Sequence, residues 1–150
     1  EAVDSKLLII GSGAEKDSLN QLIENLRLVD KIKIVDQVPP IDLVNYYKQA
    51  SVLIVSSLRE GGPRVALEAL YMKVPVISTD VGHMNKILPK EFLAKPGNQS
   101  SLRELVIKYV NKMHLFDQSS IFEYVLEEFS LESQSKKILK AYEEALIKSW

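Results

Sequence analysis

Apolar positions along the chain follow two alternating periods. Short β-rich runs, "KLLIIGSG" (6–13), "KIKIVD" (31–36), "SVLIVSS" (51–57) and "VPVIST" (74–79), predict strands, with "EFLAK" (91–95) a weaker fifth. Between them the spacing turns helical. Leu19, Leu22, Ile23, Leu26 and Leu28 mark one helix, with Asp17 and Ser18 placed to open its regular turns. "QVPP" closes the second strand, since prolines there oppose helix and ladder alike. A helix is expected over 41–50, with Leu43, Tyr46 and Tyr47 facing the packing, and another, apolar nearly all round, over 63–72. Segments 98–113, 118–130 and about 131–149 complete the set, the last with Ile138, Leu139, Tyr142, Ala145 and Leu146 at helical spacing. The order βαβαβαβ followed by helices predicts an α/β domain, a parallel sheet with helices on both faces. The third strand, apolar throughout, is expected at its centre. Ligands in such sheets sit beyond the carboxyl ends of the strands. Those ends are Gly11 to Gly13, Asp36 to Val38, Ser56 to Gly62 and Thr79 to His83.

Composition narrows the picture. A chain of 150 residues, 46% apolar and 26% charged, is enough for one globular domain with a real core. The net charge of −1 argues against bulk nucleic-acid binding, so an anionic ligand needs a local site. Without cysteine there is neither a disulfide framework nor a thiolate metal site, which fits a reducing compartment. Two histidines leave any zinc dependent on carboxylates, and no apolar run nears the ~20 residues of a membrane span. No signal peptide, repeat or low-complexity stretch is read.

The chemistry concentrates in "SSLREGGPRVALEAL" (56–70). Pro63 suits the first helical position and Gly62 the cap before it. The amides of Arg64 and Val65 then open the helix, backed by the positive end of its dipole, a place for a phosphate or a sugar hydroxyl. Gly61 and Gly62 let a ligand approach the backbone. Glu60 lies before this opening and Glu68 about 7.5 Å along the axis from Pro63 at the standard helical rise. Two carboxylates so placed suit the hydroxyl pairs of an elongated ligand. The plain alternative is that Glu60 complements the dipole, for a few tenths to ~1 kcal/mol, and Glu68 pairs with Arg64, for ~0.2–0.5 kcal/mol. A carboxylate in a helix expected to be covered needs a partner or a ligand, which favours the site.

Glu60, Gly61, Pro63, Val65, Leu67, Glu68 and Ala69, followed by Pro75, Val76 and Ile77, resemble the Glu-x7-Glu motif and following strand of the group 1 (GT4) retaining glycosyltransferases. "LLIIGSGAEKDSL", "IKIVDQVPPIDLVNYYKQASVLIVSS" and "EEFSLESQSKKILKAY" match the family's other segments in order, so the resemblance covers nearly the whole chain. It implies a Rossmann-like C-terminal, donor-binding domain of a GT-B fold, here 1–150. Glu60 would lie against the donor sugar as the catalytic-site acid. Gly61, Gly62, Pro63, Arg64 and Val65 would face sugar and diphosphate, and Glu68 would grip the ribose. Gly11 and Gly13 would approach the diphosphate or acceptor side, and Val38 would border the base.

The implied substrate is a nucleotide-diphosphate sugar, with no cofactor and no obligatory metal, and the acceptor a glycan, lipid or other molecule. The family's phosphate-binding Arg and Lys and its N-terminal acceptor domain lie before the point where this chain starts. Arg59, Arg64, Lys16 and Lys86 are the cations at hand, none matching that pair. The chain is therefore expected to be a fragment, inactive alone, whose partner is its own N-terminal domain. A cytoplasmic location is expected, and any membrane contact would fall to the missing domain.

Four residues depart from the pattern: Lys73 and Asp36 where glycine is usual, His83 for the second glycine of "DVGG", and Lys86 for a glutamate. Lys73 is expected to need a left-handed backbone. Lys73, His83 and Lys86 also fit a rival, a non-catalytic nucleotide-binding or docking module of the same fold. A weaker rival is a dinucleotide-binding oxidoreductase domain, since "GSGAEK" is two-thirds of a G-x-G-x-x-G fingerprint and Asp36 imitates its ribose-binding acid. His83 could serve as a general base or be merely solvated; His114 and the aromatics Phe122, Tyr124, Phe129 and Tyr142 read as structural.

Overall fold

A computed structural model describes residues 5–112 and 117–148. The expectation for His114 falls outside them. The chain divides into two compact units, Glu1–Gln49 and Ala50–Trp150.

In the first unit, strands β1 (Leu7–Ile10) and β2 (Ile32–Val35) pair in parallel, Leu7 opposite Ile32 and Ile10 opposite Val35. Helix α1 (Lys16–Asn25) connects them, and α2 (Pro40–Tyr47) follows. Helix α1 starts at Lys16, one residue before Asp17, with Glu15 at the cap and no side-chain cap bond. The two prolines do not bar a helix. Pro40 opens α2 from its first position, where an absent N–H costs nothing. Ile23 and Tyr47 are buried, but Leu7, Leu8, Leu19, Leu22 and Leu26 are exposed. Two strands and two helices have too few faces to cover every apolar position the pattern offers.

The second unit holds the larger core. Strands β3 (Leu53–Val55), β4 (Val76–Thr79) and β5 (Leu93–Ala94) form a parallel sheet in the order β3-β4-β5. Helix α3 (Arg64–Tyr71) links β3 to β4; α4 (Met84–Ile87) and a 3-10 turn (Lys90–Phe92) precede β5. Helices α5 (Gln99–Asn111), α6 (Ser119–Glu128) and α7 (Leu131–Lys148) complete the unit. Within this sheet β4, rather than β3, is the middle strand, and all four of its residues are buried. The short α4 escapes sequence reading because four residues carry too little periodicity.

Beyond the reach of β5, the edge of β4 is completed by a side chain. Gln118 is 1% exposed; its Oε1 accepts from the Val76 amide and its Nε2 donates to the Val76 carbonyl, both at 3.0 Å. One amide thus replaces a strand residue and spares two buried backbone groups. Nearby in the core, burial raises the Tyr109 phenol above its ordinary value, because the phenolate would be poorly solvated there.

Helices α1 and α3 end alike. Beyond α3 the Val74 amide donates to Ala69 O at 2.8 Å and the Lys73 amide to Leu70 O at 3.0 Å, a Schellman closure with Lys73 at φ 59. Lys73 therefore takes the left-handed backbone expected of it. Arg27, at φ 55, occupies the same position beyond α1.

Candidate functional site

The residues of the Glu-x7-Glu stretch come together where β3 ends and α3 begins. Pro63 is buried and caps α3 with φ −69 and ψ 105, so the helix starts at Arg64 and Pro63 stands one place earlier than the first-turn position expected. Assignments at helix ends differ by a residue readily, but here the extended ψ of Pro63 marks the boundary. The Ala66 amide turns back to Pro63 O at 3.0 Å, which leaves Arg64 and Val65 as the opening positions ahead of the helical ladder.

Helix α3 is amphipathic rather than covered all round. Ala66, Ala69 and Leu70 are fully buried, while Arg64, Val65, Glu68 and Tyr71 lie on an exposed stripe, Val65 at 44% and Tyr71 at 57%. Alanines on the inner face let the helix lie close to its neighbours, among them α6. Glu68 is therefore exposed and not covered as expected, so burial gives it no need of a partner. Glu68 stands at the surface of the stripe that begins at the helix start.

Glu60 is exposed, yet its carboxylate is held: Ser57 Oγ donates to Oε1 at 3.0 Å. Ser57 is held in turn, its carbonyl accepting from Thr79 Oγ1 at 2.7 Å. Thr79 is 3% exposed and ends β4, so the buried sheet anchors the loop. Four residues on, His83 Nδ1 lies 2.8 Å from Gly61 O. Between these anchors Gly82 has φ +55, and a Cβ on it would meet Gly61 O at 2.4 Å and Glu60 O at 2.8 Å. Only glycine fits there. Gly61 and Gly62 are different. A Cβ on Gly61 would meet nothing within 4 Å, one on Gly62 only the His83 ring at 3.7 Å, and neither has positive φ. The fold itself does not require these two glycines, whereas a close-approaching ligand would.

The remaining predicted residues, Gly11, Gly13 and Val38, belong to the first unit. The Gly11 amide donates to Val35 O at 2.9 Å, tying the end of β1 to that of β2. Nothing lies within 4 Å of a Cβ built on Gly13. Lys16 Nζ and Asp36 Oδ1 form an ion pair at 2.5 Å, so Asp36 is already engaged where a dinucleotide fold would need it for ribose. Val38 is half-buried beyond β2.

Ser57, Thr79 and Gly82 lie within the strand-end segments marked in the sequence, but their part in bracing the loop is not readable there. Their signal is register: β3 and β4 pair at a constant offset, Leu53 with Val76 and Val55 with Ser78. The loops leaving both strands therefore emerge side by side, Ser57 beside Thr79 and Gly61 beside His83.

The chain thus carries, on a parallel α/β scaffold, an acid–glycine–glycine–proline loop after a strand end and a second acid on the helix that follows. The chain belongs to the glycosyl transferases group 1 family, whose model matches residues 1–119. It is 29% identical over 152 residues to the putative teichuronic acid biosynthesis glycosyltransferase TuaC of Bacillus subtilis, covering 95% of this chain and 37% of that protein. The chain thus spans well under half the length of this relative. Among solved structures it resembles a sucrose-phosphate synthase from Thermosynechococcus elongatus, with TM-score 0.82 and 24% identity over 95% of this chain and 39% of that one. It also resembles S. aureus TarM, solved in complex with UDP, with TM-score 0.76 and 23% identity over 90% of this chain and 28% of that one. These likenesses show the fold, that of the GT-B glycosyltransferases. Among the described residues no helix is long and apolar enough to cross a membrane.

Proposed function

We propose that this chain is the donor-binding domain of a retaining glycosyltransferase, taking a nucleotide-diphosphate sugar whose sugar passes to an acceptor bound largely by a second, N-terminal domain of the whole protein. Family membership supports the transferase class, and the UDP named with TarM supports the ligand class. The observation that carries the reading is the open backbone at Gly61 and Gly62, glycines that neither φ nor crowding demands, at the start of a helix flanked by Glu60 and Glu68.

In this reading Glu60, fixed by Ser57, accepts hydrogen bonds from sugar hydroxyls and orients the reacting carbon. The opening of α3 at Arg64 and Val65 faces the diphosphate, where negative charge grows as the glycosidic bond to phosphate breaks. The acceptor oxygen bonds to the anomeric carbon on the face the phosphate leaves. Its proton passes to the leaving phosphate oxygen, so configuration is retained without a protein base. Glu68 takes the ribose hydroxyls. The reading assigns the developing charge to amides and cations rather than to a metal ion, with none needed as cofactor. The chain alone is expected to bind donors weakly and not to turn them over.

Calorimetry with UDP, GDP and ADP tests it. One nucleotide should bind, and Glu68→Ala should weaken it roughly tenfold or more, the scale of a lost charge-assisted hydrogen bond. Equal affinity in the wild type and Glu68→Ala would move the chain to the docking-module reading.

A further inference from the structure

We infer that His83 is a positioning residue whose ring sets the backbone of the Glu60–Gly62 loop, and through it the sugar-facing edge of the site. The inference rests on the donor-binding reading above. A carbonyl oxygen can only accept, so the 2.8 Å contact of His83 Nδ1 with Gly61 O places the ring proton on Nδ1. The lone pair of the neutral ring then lies on Nε2, and a protonated ring makes the same contact. Held from Nδ1 in either state, the ring ties the loop backbone to the segment after β4.

Three further observations make this a built arrangement. Gly82 packs its bare Cα so closely on the Glu60 and Gly61 carbonyls that the turn bringing His83 to the loop admits no side chain. A Cβ on Gly62 would meet His83 Nδ1 at 3.7 Å, so the ring lies beside the loop at Gly62 as well as at Gly61. On Gly61 a Cβ would meet open space. The loop is gripped by the segment after β4, while the Gly61 Cβ direction is left free for a ligand. Glu60, on the same loop, has its carboxylate fixed from Ser57, so carboxylate and backbone have separate holds.

The test compares His83→Ala, which removes the donor, with His83→Asn, whose Nδ2–H can take the place of Nδ1–H. Nitrogen NMR of the wild-type ring should show the Nδ1-protonated form. Amide hydrogen exchange at Gly61 and Gly62 should quicken roughly three- to tenfold in His83→Ala, the scale of one hydrogen bond, and return to the wild-type rate in His83→Asn. Exchange at Ile77, in the buried middle strand, should not change. With UDP-glucose, GDP-mannose and ADP-glucose set against UDP, GDP and ADP, His83→Ala should lower the affinity ratio of sugar nucleotide to nucleotide by a similar factor. Affinity for the bare nucleotide should hold. Unchanged loop exchange in His83→Ala, failure of His83→Asn to restore it, or an unchanged affinity ratio would overturn the inference. A wild-type chain that binds none of the six probes would instead overturn the donor-binding reading, and the exchange comparison alone would then decide whether His83 sets the loop.

Discussion

Two loops in this chain leave the carboxyl ends of parallel strands and carry paired glycines, yet they are held differently. The loop after β1, with Gly11 and Gly13, is fastened by backbone bonds: Gly11 to Val35 and the Lys16 amide to Gly13 O at 3.1 Å, with a surface ion pair beside them. The loop after β3, with Gly61 and Gly62, is fastened by a neighbouring loop through a buried threonine, a histidine and a glycine that tolerates no side chain. Alike in composition, the two segments differ in how well a reacting group on them could be placed. A carboxylate asked to orient a sugar needs the second kind of support, and Glu60 has it.

Gly82→Ala should break that difference most sharply. Alanine there meets two backbone carbonyls and a left-handed φ, and the backbone cannot yield without moving the Glu60 loop. A loss of about 3 kcal/mol or more is expected, seen as a fall of roughly 10 °C in the melting temperature. Gly61→Ala is the matched control. With open space around it and no positive φ, its stability should change by less than about 1 kcal/mol, and any harm should appear in sugar-nucleotide affinity. Equal destabilisation by the two substitutions would refute the assignment of one glycine to the fold and the other to a ligand.

A smaller effect is expected of Thr79→Val, which keeps the shape and removes the hydroxyl. Its bond to Ser57 O is short and half-buried, so the variant should lose about 1 kcal/mol. Urea unfolding measures this. A loss below a few tenths of a kcal/mol would mean that the loop does not rest on the sheet.

The same contrast explains what was legible beforehand. The alternation of strand and helix is local, written in spacing and residue type, and it stands in the structure; the left-handed turn at Lys73 is implied only by the family resemblance, which has glycine there, and it stands too. The brace is not local. Thr79 and His83 each reach 22 residues back, and nothing in "STDVGH" announces it until β3 and β4 are known to run in parallel register. Gln118 is hidden in the same way, since its Val76 partner lies 42 residues away. The exposure of α3 does not follow from its number of apolar residues. Its inner face is made by two alanines and a leucine, and Val65 and Tyr71 lie on the outer one.

The smallest effect should come from the first loop. Lys16 and Asp36 pair at 2.5 Å, but the aspartate side chain is 71% exposed and the lysine 34%, so water screens the attraction. Lys16→Met keeps the apolar stem and deletes the charge. At low ionic strength it should cost about 0.2–1 kcal/mol, and in roughly 0.5 M salt the difference from wild type should largely vanish, because the screening length then falls to a few ångströms. Urea unfolding at the two salt concentrations measures it. A loss above about 2 kcal/mol that salt leaves untouched would show that this loop too leans on a side chain its fold cannot spare. The contrast with the braced loop after β3 would then disappear, and with it the reason to place the sugar-orienting acid of the proposed site there alone.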